Sequence, residues 1–187
     1  MIKATVSNSS STFNVSVGPA GRALAEPIDN DLLEAFHKHL TMERNSSAQY
    51  FAISLWFLER ELRGFAEFFK QESQSEQEHA SKFAEYLIAR GHQNILEELP
   101  SPIQEWNSIE EIISASFLME SDVSTSLNQL YSLAERNSDT RSTVFLDPIV
   151  ENQISSEDEF AYLLGRVKFS ANQPSALLII DTELIAK

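Results

Sequence analysis

Phe36, Leu40, Glu43, Ser47, Tyr50, Ser54 and Phe57 recur at alternating spacings of four and three. That is the inward stripe of a packed α-helix, and one position on it is a carboxylate. An ionised side chain there loses several kcal/mol of hydration unless it is paired or coordinates a metal. The stripe therefore demands a helical partner that supplies the missing counter-charge.

The next run supplies a candidate. After an N-cap at Asp29 or Asn30, the first helix extends to about Glu61, and Gly64 reads as a short break after which the chain folds back antiparallel. The second helix, about Phe65 to Arg90, presents Phe65, Phe69, Glu72, Glu76, His79, Phe83 and Tyr86 or Leu87 on one face and stops at Gly91. Glu76 and His79 stand three apart, so their side chains leave the helix about one turn apart in a chelating geometry. Taken alone, such a pair is more often a solvated helix face.

Residues 91–107 hold Pro100 and Pro102 and are too many for a tight turn. A connection of that length carries the chain back along the bundle and leaves the second and third helices parallel. Ser108-Ile109-Glu110-Glu111 is a capping box that opens a third helix to about Arg136, whose stripe Ile109, Ile113, Phe117, Val123, Leu127 and Leu130 is interrupted by Glu120. Asn137-Ser138-Asp139 caps a fourth helix running to about Phe169, with Pro148 expected to kink it and Glu151, Asn152 and Gln153 at its centre. A short apolar fifth helix over 175–185 is expected to pack against symmetry mates of an already complete bundle. The chain thus reads as all-α, a four-helix bundle with a long crossover between helices two and three and a short C-terminal helix.

Along their helices Glu43, Glu76 with His79, Glu120 and the 151–153 segment all fall about 17 to 27 Å from the same kind of turn. All lie near mid-bundle, within about a turn of one another. Buried carboxylates gathered at one level repel unless cations sit between them, which makes Glu43, Glu76, His79 and Glu120 candidate metal ligands. Oxygen-rich ligation with one imidazole suits iron or manganese better than structural zinc. The absence of cysteine among the 187 residues excludes disulfides and thiolate ligands. The 28 acidic against 14 basic residues, a formal charge of −14, disfavour nucleic acid and anionic membranes. No apolar run approaches a membrane span.

These residues, together with Tyr50, Trp106 and Gln153, resemble the ferroxidase pattern of the ferritins over about 30–184, and the stretch from Leu133-Ala134-Glu135-Arg136-Asn137 to Val167-Lys168-Phe169 looks like ferritins of cyanobacterial type. The resemblance implies a ferritin-like fold and two irons per subunit. Glu43 and His79 would hold one iron, Glu76 would bridge, and Glu120 would hold the other. Gln153 matches the family's nearby glutamine and Tyr50 its redox-active tyrosine, while Glu151 is the acid on the fourth helix best placed to add a ligand or a third, weaker iron. It further implies Fe(II) and O2 as substrates, a cage of 24 subunits, ferric mineral storage, and residence in the cytoplasm, or in a plastid stroma if the source is an alga.

The chain departs from the bacterial pattern at Ser75 and Ser156, where acids often complete a third iron site. Glu72, Glu78 and Asp147 are candidates for iron transfer. Only one Glu-x-x-His lies at the mid-bundle level, which argues against bacterioferritin and rubrerythrin, and no methionine is placed for haem, so none is expected. Residues 1–27, rich in Ser and Thr, are expected to form a flexible arm, with 28–187 the ferritin-like diiron domain. Two other readings stay open at this level. A non-storage diiron oxidase would carry a substrate pocket and form no cage. A metal-free helical interaction protein would pair its inward acids with Lys or Arg, which are scarce on the inward stripes.

Overall fold

The computed structural model describes residues 15–19 and 21–185. The first half of the expected arm, residues 1–14, lies outside the described residues. Five helices follow in order: α1 (Asn30–Leu58), α2 (Arg63–Ala89), α3 (Ile109–Arg136), α4 (Thr140–Phe169) and α5 (Pro174–Ile185). No described helix is long and apolar enough to cross a membrane.

Short polar side chains set where the helices begin. Asp29 accepts the free N–H groups of Asp31 and Leu32 at the start of α1, and Asp139 accepts that of Ser142 at the start of α4. Ser108 Oγ accepts Glu111 N–H at 3.1 Å, and Glu111 reaches back to the N–H of Asn107 at 2.7 Å, which completes the box one residue further out than expected. Gly91 ends α2 at φ 86°, a backbone angle that glycine reaches without a Cβ clash. Helix α4 stays a single helix through the exposed Pro148.

The crossover is fastened to α1 in a fixed direction. His37 Nε2 lies 3.2 Å from Gln93 O, Arg44 donates to Glu97 O at 3.0 Å, and the Gln49 amide makes two 2.8 Å bonds to the backbone of Ile103. Positions 37, 44 and 49 meet 93, 97 and 103 in turn, so the loop travels with α1 over its length. Consequently α3 starts at the far end and runs parallel to α2. The pairs His39 with Ser126 and Tyr50 with Glu120 set α3 antiparallel to α1, and Ser124 with Glu157 and Tyr131 with Asp147 set α4 antiparallel to α3.

Before α1, residues 15–24 turn back on themselves, with a bridge between Val17 and Ala23 and Leu24 N–H donating to Ser16 O. A Cβ at Gly18 would fall 1.9 Å from Gly91 O, so this turn lies against the end of α2.

Two expectations change. The break between α1 and α2 is at Glu61, with φ 59°, and Gly64 lies within the first turn of α2. Gly64 serves a different purpose: a Cβ there would stand 1.7 Å from the backbone oxygen of Asp181 on α5. The same crossing lets Phe65 N–H donate to Asp181 Oδ1 at 2.9 Å, which satisfies one of the free donors at the start of α2. Helix α5 therefore docks on its own bundle through Ile180 and Asp181, while Leu178, Ile179 and Ile185 on its other side stay exposed. Gly64→Ala is expected to force this contact apart, costing about 1–3 kcal/mol and exposing the Phe65 amide to faster hydrogen exchange. An unchanged melting temperature and exchange rate would contradict the close approach.

The apolar interior falls into two clusters. One gathers Tyr50, Phe57, Phe65, Phe69, Ile112 and Phe160, and the other Phe36, Leu40, Phe83, Leu87, Leu127 and Leu146. Glu43, Glu76, Glu120 and Gln153, all buried, belong to neither cluster. By position along α1, Glu43 falls between Leu40 of one and Tyr50 of the other, so a polar layer divides the core.

Candidate metal centre

Each of α1 to α4 contributes to this layer because its apolar stripe is interrupted at the same height. Glu43, Glu76 and His79 bring one ligand atom each to within 4.8 Å of one another. His79 Nδ1 stands 3.3 Å from Glu76 Oε2 and 3.9 Å from Glu43 Oε2. Glu120 is held beside them by two donors: the Tyr50 hydroxyl donates to Oε1, and Gln153 Nε2 donates to Oε2 at 2.9 Å. Glu43 and Glu120 are each 1% exposed and Glu76 is 3% exposed, whereas His79 keeps a solvent-facing edge.

Burial governs the protonation of this layer. It raises Glu43 and Glu120 above the usual carboxylate range and pushes Glu76 up to about 8, with Glu43 beside it adding to the rise. The hydrogen bond to Glu76 raises His79, so the imidazolium is favoured next to the acids. Tyr50, enclosed and facing Glu120, is raised well above the ordinary phenol range and stays protonated. No lysine or arginine pairs with Glu43, Glu76 or Glu120 among the described ion pairs, and Glu43 Oε2 is buried with no hydrogen-bond partner. An orphaned carboxylate oxygen among further carboxylates and an imidazole is the donor set of a hard divalent cation, so the residues fit iron. Binding would replace protons by metal.

The residues expected at the site do not all converge. Glu151 lies exposed on α4, two residues and so roughly 200° around the helix from the buried Gln153. Glu72 is half-buried and pushed up to about 8, by burial first and then by Glu159 and Glu120. His39 has no Glu three residues before it, so the sequence gives it no place in a second Glu-x-x-His pair. It is fully buried, with Nδ1 2.8 Å from Ser126 Oγ and Nε2 2.8 Å from Glu43 Oε1, and burial lowers its pKa to about 3. Its spacing was the available signal, one turn before Glu43 and three residues after Phe36 on the same face.

Comparison with known proteins places the fold. A profile of the ferritin-like domain matches residues 33–170. A bacterial non-haem ferritin of Staphylococcus haemolyticus is 25% identical over 160 residues, covering 86% of this chain and 96% of that protein. A ferritin of Pacifastacus leniusculus is 28% identical over 155 residues, covering 81% of this chain and 86% of that protein. Among solved structures, an open-pore ferritin from Archaeoglobus fulgidus superposes with a TM-score of 0.82 at 24% identity, covering 85% of this chain and 98% of that one. Since the matched stretch spans α1 to α4, the chain belongs to the ferritin family.

Proposed function

We propose that this ferritin oxidises iron before storing it, at a two-iron ferroxidase site in the polar layer. The observation that carries the reading is the convergence of Glu43, Glu76 and His79 with a buried, unpartnered Glu43 oxygen and Glu120 alongside. Glu43 and His79 hold one Fe(II), Glu120 holds the second, and Glu76 bridges. Each iron gives up one electron, and O2 takes two electrons and two protons to become hydrogen peroxide. The carboxylates favour the product because Fe(III) gains more from negative charge than Fe(II), and the apolar clusters on either side limit water. Ferric iron then hydrolyses and collects as mineral inside a shell of 24 subunits. The exposed Glu151 lies outside the pair and is left to more weakly held iron.

Tyr50 and Gln153 act through Glu120, each donating to one of its two oxygens and so fixing the carboxylate's orientation. Tyr50→Phe removes a hydrogen bond to a charged group, and roughly tenfold slower oxidation is expected with iron binding retained. An unchanged rate would leave the tyrosine a packing residue only.

Anaerobic calorimetry tests the site itself. Titrating the metal-free protein with Fe(II) should saturate near two ions per chain, with protons released in amounts that depend on buffer ionisation heat. One ion per chain, or binding without proton release, would contradict the assignment.

A further inference from the structure

His39 has no part in the scheme above, yet its surroundings are fully specified. Its ring lies against Phe83 with centroids 4.4 Å apart. Nδ1 meets Ser126 Oγ on α3, and Nε2 meets the Oε1 atom of Glu43 one turn along α1, both at 2.8 Å. The second contact is close but out of line: Nε2 has no hydrogen bond, and neither has Glu43 Oε2. One buried pair thus carries two polar atoms without a hydrogen bond. A cation beside Oε2 would draw the carboxylate over and bring Oε1 into line with an Nε2 proton, because hydrogen bonds at such sites tighten when the substrate binds.

We propose that His39 is a positioning residue for iron binding: anchored by Ser126, it holds Oε1 of Glu43 so that Oε2 alone is offered to the metal. The inference rests on the reading of Glu43 as an iron ligand. For Nε2 to donate, Nδ1 must accept, and the Ser126 hydroxyl is placed to donate a hydrogen bond to it. The ring acts through Glu43 rather than as a ligand, since the ligand atoms that converge belong to Glu43, Glu76 and His79 and not to His39. The choice of residue has a chemical reason. A lysine or arginine at this place would orient Glu43 and also neutralise it, competing with the cation. An uncharged imidazole orients the carboxylate and leaves its charge to the metal.

The test uses Co(II), which replaces Fe(II) without reacting with O2, titrated into the assembled protein and followed by its visible absorption. His39→Leu is expected to weaken the first Co(II) by about 10–100-fold. In oxidation assays it should raise the half-saturating Fe(II) while the plateau rate stays within a few-fold. His39→Gln, whose amide nitrogen takes the place of Nε2, should recover most of the affinity. His39→Asn, which reaches only the place of Nδ1, should not. Wild-type affinity in the leucine variant, or a glutamine variant no better than leucine, would overturn the assignment. If the leucine variant fails to assemble, the comparison of glutamine with asparagine decides the same question. Absence of Co(II) binding by the unaltered protein would instead remove the Glu43 site, a failure distinguishable from that of His39 alone.

Discussion

Glu76→Ala is expected to slow O2-driven iron oxidation by at least about a hundredfold while helix content and assembly stay nearly unchanged. Glu76 lies against His79 and Glu43 on one side and acts on Glu120 on the other, the position a bridge between the two irons must take, so its loss disables both metals. Its removal does not threaten the fold, since it is a carboxyl held buried in the polar layer at a cost. The metal-free variant should even be somewhat more stable at neutral pH, because unfolding no longer gains from ionising Glu76. Stopped-flow ferric absorbance and thermal unfolding read the two effects separately. A variant that oxidises iron at the original rate would sink the site, and one that fails to fold would make Glu76 structural.

The metal-free protein should lose stability as pH rises from about 4.5 to about 8. Glu76 and Glu72 both titrate near 8 when folded and near the ordinary carboxylate value when unfolded. Between those values the folded state binds more protons, so stability is fullest below the unfolded pKa and falls as pH climbs through the folded one. Linkage sets the slope at about 1.4 kcal/mol per pH unit for each carboxyl involved. Glu76→Gln should flatten the slope by about one carboxyl's share. Divalent metal should reverse it, since deprotonation then serves binding. Unfolding at fixed protein concentration, with chelator and with Co(II), compares the two. Rising stability of the chelated protein between pH 5.5 and 8 would contradict the burial of these acids.

Much of this was legible in the residues because helical periodicity reports which side chains turn inward. Glu43 and Glu120 were found as acids standing where Leu or Phe belongs, and counting 1.5 Å per residue put them at one height. Pro100 and Pro102 gave away the crossover. What escaped was whatever depends on contacts distant in sequence. Gly64 looks like a helix breaker until the backbone of Asp181 is seen against it. Glu151 seemed close to the centre, although the buried stripe of α4 runs Leu146, Gln153, Phe160, Leu163 and Val167 and leaves it outside. His39 could not be ranked from sequence, because an imidazole at an inward position is as readily a packed ring as a partner for an acid, and only Ser126 across the bundle decides.

The most direct measurement is rapid mixing of the Fe(II)-loaded, anaerobic protein with O2, on particles whose mass is fixed by light scattering. Oxidation far faster than the protein-free control, saturating near two irons per chain on a cage-sized particle and continuing as more iron is added, is the predicted result. Oxidation no faster than the control would return Glu43 and Glu76 to the status of buried acids, and His79 to their neighbour, without a metal. Two-iron oxidation confined to a small particle would contradict storage and mark a diiron oxidase instead.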